Sequence, residues 1–165
     1  MDTKTIIVTL VTDRTQADVE RVRELAAKGF AAMTAAERAE WLAGMKGAYN
    51  AADLNRVGTA LNYLAARLSS ICGKSIAWTA KTDWAVTDII TASQAEAYRK
   101  QVQSIRDALA YPAGTPDAPE LGRLTYTDAN NIERILKLCE DLIVNVAKSF
   151  RHTGAAECAA GGLLT

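Results

Sequence analysis

Histidine is almost missing from this chain: His152 is the only one in 165 residues. Three cysteines, Cys72, Cys139 and Cys158, stand far apart and in no ligand-like pattern. Together these shortages argue against a zinc site and against a disulfide framework. No metal or cofactor is assigned. A catalytic cysteine would need His152 as its base, and His152 lies near the end of the chain, where a solvated histidine is the simpler reading. Charge of one sign is also lacking, since Lys+Arg and Asp+Glu are both 19. That balance argues against a general nucleic-acid binder. The longest early apolar run, Ile6 to Val11, is too short for a signal-peptide core or a membrane span. No Walker loop or glycine-rich nucleotide fingerprint is present. The carboxylate pairs Glu37/Glu40 and Glu140/Asp141 read as solvated helix faces rather than acid–base pairs.

Proline and phenylalanine are scarce, alanine is abundant, and 49% of residues are apolar. This composition favours helices around one core. The clearest element is the stretch from Asp53 to Cys72. Leu54, Val57, Leu61, Leu64, Leu68 and Ile71 alternate by three and four, which places them on one stripe of a helix. Helices are expected over about Gln16–Lys28 and Ala35–Lys46, the second carrying Trp41, Leu42 and Met45 inward. Thr34 and Glu37 form a capping box, as do Thr91 and Gln94. The latter opens a helix with Ala95, Tyr98, Val102, Ile105 and Leu109 on one face. Pro112, Pro116 and Pro119 make an extended linker. Thr127 or Asp128 caps a last helix over about Ala129–Phe150, expected antiparallel to its predecessor.

At the start, Ile6, Ile7, Val8, Leu10 and Val11 read as a short β-strand. Its only internal partner would be Ser75 to Thr79; otherwise another copy supplies the pairing edge. These five residues are therefore the candidate oligomer interface. Trp78 and Trp84 lie in the irregular connection from Gly73 to Ile90. They either grip a partner or pin the loop to the bundle. The fold expected is mainly α: a bundle of about five helices with an N-terminal strand, one domain over residues 1–150. A flexible or partner-ordered tail, 151–165, follows.

Several blocks, taken in order, carry a resemblance: Val11–Thr15, Glu40–Asn50, Asp53–Val57, Lys81–Trp84, and Leu124–Tyr126 leading to Asn130–Glu133. As a set they resemble small helical proteins encoded in phages and prophages of gut Firmicutes, near tail and fibre genes. The resemblance implies a non-enzymatic virion protein, associated with tail, baseplate or fibre. Its implied partners are copies of itself and other phage structural proteins, with no nucleic acid and no membrane. The alternative is a helical adaptor or host-surface binder using the Trp78–Trp84 loop.

Overall fold

The structure is a computed structural model that describes the backbone of residues 5–161 and the side chains of residues 6–150. It is mainly helical, with no strand among the described residues. The elements are α1 (Thr5–Val8), α2 (Gln16–Lys28), α3 (Ala35–Ala43), α4 (Ala51–Cys72), α5 (Ala92–Asp107) and α6 (Tyr126–Gly161). Two 3-10 turns, Phe30–Ala32 and Leu121–Arg123, precede α3 and α6. The expected tail is thus helical to Gly161, and residues 162–165 lie outside the described residues.

Each helix starts where a short polar side chain can accept from its exposed N–H groups. Thr15, Thr34, Asn50 and Thr91 all form reciprocal capping boxes, with Asp18, Glu37, Asp53 and Gln94. The cap of α6 is Thr125, not Thr127 or Asp128. Its hydroxyl accepts from the Asp128 N–H, and the Asp128 carboxylate accepts from the Thr125 N–H. At the other end of α4, Gly73 adopts the left-handed conformation (φ 64°), which ends a helix without Cβ strain.

The core gathers the α4 stripe (Val57, Leu61, Leu64, Leu68) with Tyr98, Val102 and Ile105 of α5 and Ile132, Ile135, Leu136, Cys139 and Ile143 of α6. The three long helices run in the same direction. Arg56 meets Glu133 and Arg67 meets Glu140, so α4 and α6 ascend together. Tyr49, just before α4, meets Tyr98 near the start of α5, while Trp78, just after α4, meets Ser104 near the end of α5. The antiparallel arrangement expected for α5 and α6 is therefore corrected.

Parallel neighbours need long returns, and this chain makes them as extended straps lying along the helices. An extended residue covers about 3.3 Å against about 1.5 Å in a helix, so fewer residues suffice on the way back. The first return descends α4: Ala80 exchanges two hydrogen bonds with the Asn62 amide, and Trp84 two with the Asn55 amide. The second descends α5: Gln103 accepts from the Ala118 N–H, and Arg106 donates to the Pro116 carbonyl. Side chains thus satisfy backbone groups that no sheet is present to pair.

A third strap is the N-terminal arm, and it replaces the expected strand. Thr5–Val8 form a single helical turn, and residues 9–15 then cross the bundle extended. Glu133 accepts the Val11 N–H at 2.6 Å, and the Asn130 amide pairs with both the N–H and the carbonyl of Arg14. Backbone groups that a lone strand would expose are thereby held by α6. Leu10 is buried in the chain's own core, and Ile6 and Ile7 pack against that core. Val11 is half-buried, and only Val8 of the five candidate interface residues is exposed, at 79%. The strand edge that motivated an interface there is absent.

Candidate functional site

Two features stand out from the packed bundle. The first is a buried charge cluster where the N-terminal arm meets α4 and α6. Arg14, Asp53 and Glu133 are buried, and Arg56 is half-buried beside them. Arg14 Nη2 lies 2.8 Å from Asp53 and 2.7 Å from Glu133. Arg56 Nη2 pairs with the same two carboxylates, 2.8 Å from Glu133. Two guanidiniums against two carboxylates leave the cluster neutral, which makes burial of four charges tolerable. Arg14 Nη1 also donates to the Val11 carbonyl, so the arm is fastened by charge as well as by Leu10. Further along α6, Glu140 is buried and Arg67 Nε lies 3.1 Å from it. The reading of Glu140 as solvated is corrected; Asp141 is exposed.

Above the cluster, the hydroxyls of Tyr49 and Tyr98 share a short hydrogen bond. Burial pushes both phenols above their ordinary value. The sign of the linkage follows. A raised phenol pKa adds stability that is fully present below the unfolded value near about 10, and is lost as pH rises through the folded value. Chemical denaturation between about pH 9 and pH 11 is expected to show a falling midpoint. Replacing both tyrosines with Phe should flatten that fall. A slope equal to the parent's would show that these phenols ionise without unfolding.

The second feature is an apolar hollow of about 500 Å³ where the α2–α3 hairpin meets the start of α4. Trp41, Leu42 and Met45 form one wall, Val22 the back, and Val86 of the first strap the other wall. No charged side chain lines it. The hairpin stands partly apart from the main core, with its own buried Leu25 and Met33. It is set against the bundle by Gly47, where a Cβ would collide with the Asp18 carbonyl. Leu42, expected inward, is 73% exposed, and Val86 and Ile89 are exposed at 93% and 89%. Isolated apolar side chains on a surface are ordinary, but a hollow edged by large ones marks a contact site.

The tryptophans of the same strap face the other way. Trp84 is buried, with its backbone held by Asn55 and the Lys81 ammonium 4.9 Å above its ring. The Trp78 indole N–H donates to the Ser104 hydroxyl at 2.9 Å, and its ring packs on the core. Both therefore pin the strap, and the exposed apolar residues of this segment are Val86 and Ile89. The hollow was not read from the sequence, because Leu42 fits an apolar helix face whether that face is covered or open.

Among the described residues no group of three or more His, Cys, Asp or Glu could hold a metal ion, and no helix is long and apolar enough to cross a membrane. Burial pushes the Cys139 thiol up to about 11, so it is protonated at neutral pH. Comparisons with protein-family models, curated proteins and solved structures find no match.

Proposed function

We propose that this chain is a non-enzymatic assembly module that pairs with a second copy of itself through the hollow beside α3. The observation that carries the reading is that one patch holds both a cavity and projections. Leu42 and Val86 rise from the rim of a hollow backed by Trp41, Met45 and Val22. A two-fold contact needs that self-complementarity, because each copy must offer both the knob and the hole. An uncharged lining suits the dry centre of such a contact, where charge is depleted. Zero net charge leaves no long-range repulsion between copies.

The setting in a phage tail, baseplate or fibre is supported by the sequence resemblance. Its most distinctive block, Glu40–Asn50, supplies most of the hollow's wall. In that setting the chain would assemble with itself and with neighbouring virion proteins. The rival reading, a host-surface adaptor using the strap, would rest on Val86 and Ile89 rather than on Trp78 and Trp84.

Light scattering across a dilution series tests the pairing. The parent chain is expected to show a dimer that dissociates on dilution. Leu42→Glu and Val86→Glu should each be monomeric throughout. Both positions are exposed, so stability should change by only about 0.5 kcal/mol. A parent chain that is monomeric at every concentration would reject self-pairing and favour the adaptor.

A further inference from the structure

A second cavity, distinct from the apolar hollow, lies between the start of α2, the Gly47–Tyr49 segment and the start of α6. We propose that it binds a small anion with a flat apolar body, of the aryl carboxylate class. Its volume is about 290 Å³, which suits a single ring with a head group.

The charge of the walls points to an anion. Arg14 and Arg23 both line the cavity, and no carboxylate does. Arg14 is balanced by Asp53 and Glu133, so the uncompensated charge is that of Arg23. Arg23 is exposed and forms no ion pair among the described residues. Its neighbours on the hairpin differ. Arg21 pairs with Glu24 and Glu40, Lys28 pairs with Glu37, and Arg38 is spent on the Phe30 and Ala31 carbonyls. Carboxylates are thus plentiful on this hairpin, yet none is supplied to Arg23.

A second observation is independent of Arg23. Arg14 is 4% exposed, and while its Nη1 and Nη2 are fully engaged, its Nε has no hydrogen-bond partner. Buried donors are nearly always satisfied, so a lone one in a cavity wall marks where an acceptor belongs. The start of α6 also lines the cavity, and its 36-residue helix turns its positive end toward it. Tyr49 and Tyr126 supply flat walls for the body of the ligand.

The test is titration of the full chain with benzoate, followed by amide NMR shifts, with benzamide as the neutral isostere and inorganic phosphate as a bare anion. Saturable one-to-one binding is expected, with shifts at Gln16 and Tyr126. Arg23→Gln should weaken it at least about tenfold, while Lys74→Gln, at the far end of α4, should leave it within about twofold. Arg23 is exposed, so that variant should remain folded, and an unchanged spectrum elsewhere verifies this. No saturation by about 10 mM benzoate would overturn the proposal. So would equal binding of benzamide, equal or tighter binding of phosphate, or an Arg23→Gln variant that binds as well as the parent.

Discussion

Replacing Glu133 with Gln is expected to cost about 3–5 kcal/mol of stability, the largest effect of any single polar change in this chain. Glu133 is fully buried and accepts from the Val11 N–H, from Arg14 and twice from Arg56. Glutamine keeps the shape but removes the charge. Asp53 would then face two guanidiniums alone, one of them buried as deeply as the carboxylate it lost. The amide nitrogen would also confront donors rather than acceptors. Removing one partner of a buried pair costs more than the pair contributes, because the remaining charge stays out of water. The control is therefore a second substitution, Arg14→Met with Glu133→Gln. It leaves Arg56 with Asp53, a neutral pair, and should be less destabilised than the sum of the two single changes by on the order of 2 kcal/mol. Urea denaturation of all four proteins gives the cycle. Additive losses would mean that the two residues act separately and that the cluster is not one unit. Hydrogen exchange adds a local readout, since the Val11 amide should lose protection in Glu133→Gln before the α4 amides do.

That cluster also shows where sequence reading stops. The helices were legible because their signals are local. The three–four spacing of the α4 stripe, the Thr34/Glu37 and Thr91/Gln94 boxes and the Gly73 stop all act within a few residues. The wide apolar face of α6 was legible for the same reason. Glu133 and Glu140 were not, although both sit among Ile132, Leu136, Cys139 and Ile143. An acid on an apolar face is the available signal, but its partners Arg14, Arg56 and Arg67 are dozens of residues away.

The direction of the long helices was hidden more deeply. Periodicity reports which face is buried and carries no information on up or down. Here the direction follows from Asn55, Asn62 and Gln103, whose amides hold the returning straps. In sequence those are ordinary polar positions off a stripe. The N-terminal segment failed differently. Ile6, Ile7 and Val8 have strand propensity, but tertiary burial of Ile6, Ile7 and Leu10 decides their conformation. Leu42 fails in yet another way, since amphipathic spacing is the same for a core face and for a face open at a hollow.

Gly58→Ala is the second change with a large expected effect, and its sign alone discriminates. Gly58 lies inside α4 with ordinary helical geometry, so in an uncovered helix alanine would stabilise by about 1 kcal/mol. Here the first strap crosses directly over it. A Cβ at Gly58 would fall well inside contact distance of the Lys81 carbonyl oxygen, with the Thr82 methyl also close. That oxygen belongs to backbone, which cannot swing aside as a side-chain end could. It sits between the two anchor points of the strap, Ala80 on Asn62 and Trp84 on Asn55. Relief requires the strap to lift, which would loosen buried Trp84 and Ala80 together. The net expectation is a loss of about 2–3 kcal/mol, with the overpacking cost exceeding the helix gain. Tryptophan fluorescence should report the same event as increased solvent exposure of Trp84 in the folded variant. A stabilised Gly58→Ala protein with unchanged emission would mean that the strap does not lie against α4. Without that strap the parallel path of α4 and α5 loses its connection, because no other segment returns the chain to the start of the bundle.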